Sequence, residues 1–339
     1  MNGEVADVGR ELADAGLRVR FDEPLAPLTT YAVGGPATCA VHVSTVEEIL
    51  AVASVTARYD GVPVSVVGRG SNLLVSDDGF DGVVVVVSVP AAHADIEVDD
   101  GAIVAPGWVP MPVLARRSVA AGRGGLEWCV GIPGTVGGAV RMNAGGHGAE
   151  MVDSLESAGI VSLRSGRHVS VDVGGLGLHF RGSALAAHHV VVSARLATSA
   201  QEPAKGQAVI DEVVAWRRAN QPGGRNAGSV FVNPAPGEGS AGALIDAAGL
   251  RGLSVGGARI SEKHANFIQV SDGGTASDVL AVMTEVQRRI ESSTGTRLRS
   301  EATLLGFDLV TTARFADPRH VDPERASAAS RLATMMGDA

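Results

Sequence analysis

Apolar side chains recur along this chain at two different periods, and the changes of period divide it into elements. Residues 4–17 alternate apolar and charged positions at roughly helical spacing and predict a short surface helix. Val41–Val43 and Val64–Val67 are short apolar runs of strand type. Between them Thr45-Val-Glu-Glu48 predicts a capping box, in which the Thr45 oxygen accepts from the third helical N–H and Glu48 reaches back. Val46, Ile49, Leu50 and Ala53 then share one helical face, so residues 41–67 read as a βαβ unit on a buried sheet. Val83–Val87 predicts a strand buried on both faces. Asp99-Asp100-Gly101 predicts a hairpin turn, and a helix runs from about Val109 to Ala121, where Gly122-Arg-Gly-Gly125 stops it.

Residues 155–195 read as β-rich, with strands over 157–163, 168–173 and 190–196. Gln201–Gly206 is polar, carries Pro and Gly, and is the expected domain boundary. The helix expected over 207–219 turns Val209, Val213 and Trp216 inward. Ser240 caps a short helix that Gly249 ends, and Thr275-Ala-Ser-Asp278 caps a long one with Val279, Met283, Val286 and Ile290 inward, ended by Gly295. A last strand is expected over Arg297–Phe307, with Leu298, Ser300, Ala302 and Leu304 on one side and Arg297, Arg299, Glu301 and Thr303 on the other. Residues 311–339 show no convincing core pattern and read as a loose tail.

Composition narrows the class. The 339 residues are 45% hydrophobic and 19% charged, which is globular and not disordered. The net charge of −9, with no Lys/Arg-rich run, argues against nucleic-acid or anionic-membrane binding. No apolar run approaches ~18 residues, so no membrane insertion is expected, and the acidic N-terminus is no secretory signal. Cys39 and Cys129 stand far apart with no Cys/His grouping, so neither a metal site nor a disulfide framework is expected, and the compartment reads as cytoplasmic.

Two glycine-rich stretches carry the first chemistry. Gly131-Ile-Pro-Gly-Thr-Val-Gly-Gly-Ala-Val-Arg-Met-Asn-Ala-Gly-Gly146 exposes successive backbone N–H groups, a concave nest suited to a diphosphate. Gly68-Arg-Gly-Ser-Asn-Leu-Leu-Val75 follows a buried strand and is a second loop of that kind. There is no third Gly at Rossmann spacing and no GxxxxGK[ST], which excludes a P-loop ATPase. The competing reading is a pair of plain turns between strands. Two further blocks stand out: Leu178-His-Phe-Arg-Gly-Ser183 and Gln221-Pro-Gly-Gly-Arg-Asn-Ala-Gly-Ser-Val-Phe-Val-Asn-Pro234.

Thr29–Ala37, Val67–Val75, Gly131–Gly148, Phe180–Ser183 and Asn226–Pro234, followed by Glu301 in the last strand, occur in the order and spacing of one family. Over residues 25–307 the chain resembles the UDP-N-acetylenolpyruvoylglucosamine reductases, in the shorter form without an extra substrate loop. The resemblance implies an α+β fold: a two-part FAD-binding domain of the vanillyl-alcohol-oxidase (PCMH) type over residues 20–200, and a smaller α/β substrate-binding domain over 201–310. It implies FAD as cofactor and NADPH as co-substrate. NADPH reduces the flavin, which gives hydride to the alkene carbon distal to the substrate carboxylate, and a proton arrives at the adjacent carbon. The protein must then hold the flavin, stabilise an enolate and deliver a proton.

By its match to the motif Asn-Ala-Gly-Ser, Ser229 is the expected proton donor, which needs accurate placement because a serine hydroxyl is a weak acid. Arg181 and Glu301 are expected to polarise the carboxylate; Glu301 helps only if it is protonated, so a raised pKa is predicted for it. Their structural alternatives are a surface ion pair for Arg181 and pairing with Arg297 or Arg299 for Glu301. FAD contacts are expected from Gly68, Arg69, Gly70, Ser71, Asn72 and Leu73 and from Gly131, Ile132, Pro133, Gly134, Thr135, Gly137, Gly138 and Asn143. Arg217, Asn233, Lys263, His264 and Asn266 are candidates for the nucleotide sugar. His147 stands where the family usually has Tyr, and FAD is expected to be non-covalent. Phe180 replaces a usual Tyr, and Asn220 a frequent Lys. The competing functions are an FAD-linked oxidase or dehydrogenase of the same superfamily and a non-catalytic paralogue that binds flavin or UDP-sugar. A monomer or weak dimer is expected.

Overall fold

In the computed structural model, residues 3–88, 95–99, 101–234, 237–316 and 323–338 are described. The first sheet places Arg18–Pro24, Pro36–Val43, Phe80–Val87 and Val64–Val67 side by side in that order. Its first pair is antiparallel and the other two are parallel. The βαβ unit therefore exists, with Phe80–Val87 inserted between its two strands. Val83 and Val85 face a core under the helices Gly3–Asp14 and Val46–Thr56, while Val84 and Val86 face a second cluster with Leu25, Val67, Val75 and Leu305. Apolar burial on both faces is why the strand reads as an unbroken valine run. Thr45 caps its helix as expected, but the Glu48 carboxylate accepts from the Ser44 N–H at 2.6 Å, one residue earlier than predicted.

The second sheet is antiparallel, ordered His168–Asp172, Leu155–Ser162, His189–Ala197, Ala102–Pro106, Glu97–Asp99. The hairpin turn carries Gly101 at φ 88; Asp100 lies outside the described residues. Against this sheet pack the helix Met111–Ala120 and the helix Pro203–Asn220. The latter corrects two expectations. Its buried side chains are Ile210 and Val213, whereas Val209 and Trp216 are 41% and 47% exposed. The buried stripe is Gly206, Ile210 and Val213, and Gly206 lies so close to Val119 that a Cβ would come within 2.8 Å of a methyl. A stripe that starts at glycine has no apolar signature, so the pattern mistook the face. The helix expected to open the smaller domain thus packs in the core of the second sheet.

A third core forms between the antiparallel strands Ser254–Val255, Ala258–Ile260 and Ile268–Val270 and the helices Ala241–Ala247 and Ala276–Thr294. The capping box of Thr275 and Asp278 is complete, and Gly295 ends the helix at φ 74. Asp77, from the first half, also accepts from the Ala276 and Ser277 N–H groups at 2.8 Å each, where a carboxylate suits the positive helix end. Tyr31, Val33 and Leu74 insert into this core. The expected last strand shrinks to Thr303–Leu305, paired parallel with Leu73–Val75, and Ser300 makes a lone bridge to Phe231. The two halves are therefore joined by shared backbone pairing, which positions the cavity between them.

Where a loose tail is expected, over 311–339, the described residues form helices. Leu309–Phe315 is a helix that buries Phe315 in the third core, with Arg314 Nε donating to Gln287 Oε1 at 2.8 Å. Pro323–Met336 is a helix that buries Leu332 and Met336 in the core of the second sheet and carries Ala328 on the same face. The stripe Ala328, Leu332, Met336 is correctly spaced but holds only two large side chains among Ala and Ser, too sparse to read as a core face. No described helix is long and apolar enough to cross a membrane.

Candidate active site

A cavity of about 880 Å³ lies between the sheets and the third core. The two glycine-rich loops, some sixty residues apart in sequence, meet at its rim. A Cβ on Gly68 would come within 3.0 Å of Thr135 Oγ1, and one on Gly134 within 3.2 Å of Ser71 Oγ. Arg69 Nε donates to the Pro133 carbonyl at 3.1 Å. Gly70 has φ 57, and a Cβ there would meet the Leu28 carbonyl oxygen at 2.1 Å, so no other residue fits. Gly68, Arg69, Gly70, Ser71, Asn72, Leu73, Gly131, Ile132, Pro133, Gly134, Thr135, Gly137 and Gly138 all line the cavity.

The charge of the wall opposes that of the chain. Arg69, Arg141, Arg164, Arg181 and Arg217 line the cavity, and Glu301 is its one carboxylate among the described residues. A backbone-lined rim under concentrated guanidinium charge fits an extended diphosphate such as that of FAD. Asn143 departs from expectation. It is 1% exposed at φ 39, and its side chain holds Glu150 Oε2, the His179 carbonyl and the Val152 N–H. Its amide is fully engaged beneath the wall and does not line the cavity.

Arg181, Ser229 and Glu301 do line it. Arg181 sits at φ 58, a conformation that costs an arginine of order 1–3 kcal/mol and persists where surroundings enforce it. They do so here: His179 and Gly182 exchange backbone hydrogen bonds at 2.9 and 3.0 Å, and Ser183 Oγ donates to the Arg141 carbonyl at 2.6 Å. Arg181 Nε lies 3.0 Å from Glu301 Oε1, Nη1 lies 3.0 Å from Glu150 Oε1, and the Phe180 ring packs under the guanidinium at 4.6 Å. Arg181 thus pairs with protein carboxylates inside a cavity instead of on a surface, and Glu301 takes Arg181 as partner, not Arg297 or Arg299.

Glu301 and Ser229 come from adjoining backbone. The Glu301 N–H donates to the Val230 carbonyl at 2.7 Å, the Val232 N–H to the Arg299 carbonyl at 2.9 Å, and Asn72 Nδ2 to the Glu301 carbonyl at 3.0 Å. Gly228 at φ 77 turns the chain into Ser229, which bridges Phe267. Burial pushes the Glu301 carboxyl from 4.5 up to about 7; Arg181 pulls it down and Glu150 pushes it up. The direction is the one predicted, with desolvation ahead of like charge as the cause.

Of the nucleotide-sugar candidates, Arg217, Asn233 and Asn266 line the cavity and Lys263 and His264 do not. Lys263 Nζ donates to the Arg218 carbonyl at 2.5 Å, and His264 packs edge-on against Phe267. His147, at φ 55, turns its ring against Trp216 in a side cleft with Gly131, Ile132, Gly145, Gly146 and Gln221. Two groups escaped the sequence reading. Glu150 lacks any motif signal beyond its place after the second glycine loop. His188 and His189 line the cavity and hold Asp338, whose Oδ2 lies 3.1 and 2.7 Å from their Nε2 atoms.

That trio is the one histidine–carboxylate group among the described residues with metal-ligand spacing. Its hydrogen bonds argue against a metal. The Ala186 N–H donates to His189 Nδ1 at 3.0 Å, so the imidazole proton sits on Nε2 and is donated to Asp338. Ser162 Oγ donates to the other carboxylate oxygen at 2.7 Å. Burial would raise the Asp338 carboxyl, but these three donors hold it below its ordinary value; burial lowers both histidines.

Comparison with known proteins agrees with this architecture. Residues 36–172 match the family described as FAD binding domain, and residues 220–305 match the C-terminal domain of UDP-N-acetylenolpyruvoylglucosamine reductase. The UDP-N-acetylenolpyruvoylglucosamine reductase of Gloeobacter violaceus is 42% identical over 288 residues, 84% of this chain and 95% of the relative. That of Paramagnetospirillum magneticum is 40% identical over 86% of this chain and 92% of its own. The crystal structure of the Thermus caldophilus reductase superposes with a TM-score of 0.70 at 34% identity, covering 85% of this chain and 98% of that one.

Proposed function

The chain belongs to the UDP-N-acetylenolpyruvoylglucosamine reductase family, and from that membership we propose how its cavity carries out the family's reaction. It is an FAD-containing, NADPH-dependent oxidoreductase that reduces the enolpyruvyl group of UDP-N-acetylglucosamine enolpyruvate to UDP-N-acetylmuramate, a step of peptidoglycan precursor synthesis. FAD, when bound, supplies the hydride that NADPH has given it. The Gly68–Leu73 loop, with Gly134 and Thr135 of the other loop, would hold the diphosphate of FAD through backbone N–H groups beside Arg69, since the N–H groups of Ile132, Val136, Gly137 and Gly138 donate within the protein. We infer that FAD is held non-covalently, with His147 turned toward Trp216.

As hydride adds to the distal alkene carbon, negative charge grows on the substrate carboxylate. Arg181 has five N–H donors, of which those to Glu301, Glu150 and Gly145 are committed, so its remaining donors face that charge. Glu301, with its proton, donates a hydrogen bond to the developing enolate. The Ser229 hydroxyl delivers the proton to the carbon next to the carboxylate, which completes addition of H⁻ and H⁺ across the double bond. Arg217, Asn233 and Asn266 are assigned to the nucleotide sugar. The reaction draws on NADPH and a small nucleotide-sugar substrate, which supports a cytoplasmic enzyme.

The observation that carries this reading is the meeting of Arg181, Ser229 and Glu301 on the wall that also holds both glycine loops. Anaerobic stopped-flow absorbance tests it. NADPH should bleach the bound flavin, and the enolpyruvyl nucleotide sugar should restore its colour. Bleaching by an alcohol substrate with no recovery on the nucleotide sugar would replace this reading with an oxidase.

A further inference from the structure

Arg181 is held by two carboxylates, and the reaction outlined above uses only one. We propose that Glu150 is a positioning residue: it aims Arg181 and balances its charge, so that Glu301 keeps its proton beside an anionic substrate. What that proton is used for rests on the reductase reading; where it resides does not.

Charge balance carries the argument. A guanidinium 3.0 Å from a lone carboxylate favours the ionised acid. An ionised Glu301 would repel the substrate carboxylate and have no hydrogen to donate. Glu150, 3.0 Å from the other arm of Arg181, supplies the compensating negative charge. Arg181, Glu150 and a protonated Glu301 then sum to zero, and burial decides in favour of the neutral acid. The charged groups acting on Glu301 are these two: Arg181 lowers its pKa and Glu150 raises it.

The surroundings are built for this placement. Asn143 Nδ2 donates to Glu150 Oε2 at 3.0 Å and to the His179 carbonyl at 3.1 Å. One buried amide therefore clamps Glu150 and the turn that carries Arg181 together, which accounts for an asparagine at φ 39 under the wall. At Gly145 a Cβ would lie 2.7 Å from Glu150 Cγ and 3.1 Å from Arg181 Nη1. Glycine is what lets the ion pair close against the loop.

The test follows the proton itself in the FAD-loaded protein. Infrared difference titration reads the protonated carboxyl band of Glu301, assigned by its loss in Glu301→Gln. In Glu150→Gln its midpoint should fall by about one pH unit, and the alkaline limb of the second half-reaction should move with it. Glu150→Asp keeps the charge and should retain the midpoint even where its rate is lower. An unmoved midpoint in Glu150→Gln, or equal shifts in the two variants, overturns the proposal, since a merely structural Glu150 would disturb rate without selecting for charge. If the band behaves as expected but the nucleotide sugar never reoxidises the flavin, the reductase reading fails and the charge arrangement stands.

Discussion

Glu301 and Asp338 are two carboxyls of one cavity, the first in its lining and the second bound by the lining residues His188 and His189. The Glu301 side chain is 20% exposed and that of Asp338 only 4%, yet Glu301 is driven up to about 7 while Asp338 is held below its ordinary value. Burial raises both carboxyls, so the donors around each one decide the sign of its shift. The difference lies in what surrounds each group. Asp338 accepts from Ser162, His188 and His189, none of which needs a charge to donate. Glu301 has one guanidinium, which Glu150 shares. A fully satisfied carboxylate holds structure together, whereas an under-supplied one stores a proton for use.

Four substitutions test that contrast. Ser229→Ala should slow the second half-reaction by about 10²–10⁴-fold, while flavin reduction by NADPH stays within a few-fold. Equal losses in both halves, read by stopped flow, would remove Ser229 from proton delivery. Leu332→Ala, in the helix that precedes Asp338, should cost about 2–5 kcal/mol in chemical denaturation and leave kcat at low temperature nearly unchanged, because Leu332 is fully buried in the second-sheet core.

Glu301→Gln should stabilise the flavin-stripped protein above about pH 4.5, nearly in full by pH 7. With a folded pKa near 7 against an ordinary 4.5, Glu301 favours folding below 4.5, and that advantage is lost as pH rises through 7. Gln removes the loss, so the variant should gain up to about 3 kcal/mol at pH 8 and nothing at pH 4, measured by urea midpoints. Asp338→Asn should do the opposite. Its folded pKa lies below the ordinary 3.8, so its contribution is present above 3.8 and vanishes as pH falls through the folded value. The variant should lose about 1–2 kcal/mol at pH 7, with the gap to the unaltered protein closing only below about pH 4. Similar pH curves for the two variants would end the distinction between the two carboxyls.

The features legible in the residues were those fixed by near neighbours. Gly70 and Gly228 occupy left-handed backbone, Thr275 and Asp278 cap their own helix, and the valine run of 83–87 needs only its two buried faces. Each rests on a steric or hydrogen-bond rule acting over a few positions, so the sequence alone determined the loops, the caps and the blocks that mark the family. The fold decided what depends on a sum over distant partners. Gly206 turned the helix Pro203–Asn220 onto Ile210 and Val213, a sparse stripe docked the C-terminal helix, and Lys263 was drawn to the Arg218 carbonyl outside the cavity. Above all, the charge on Glu301 is set by residues 150 and 181 together with the water excluded around them. Desolvation and Coulomb energy depend on distance in space, which no spacing along the chain encodes.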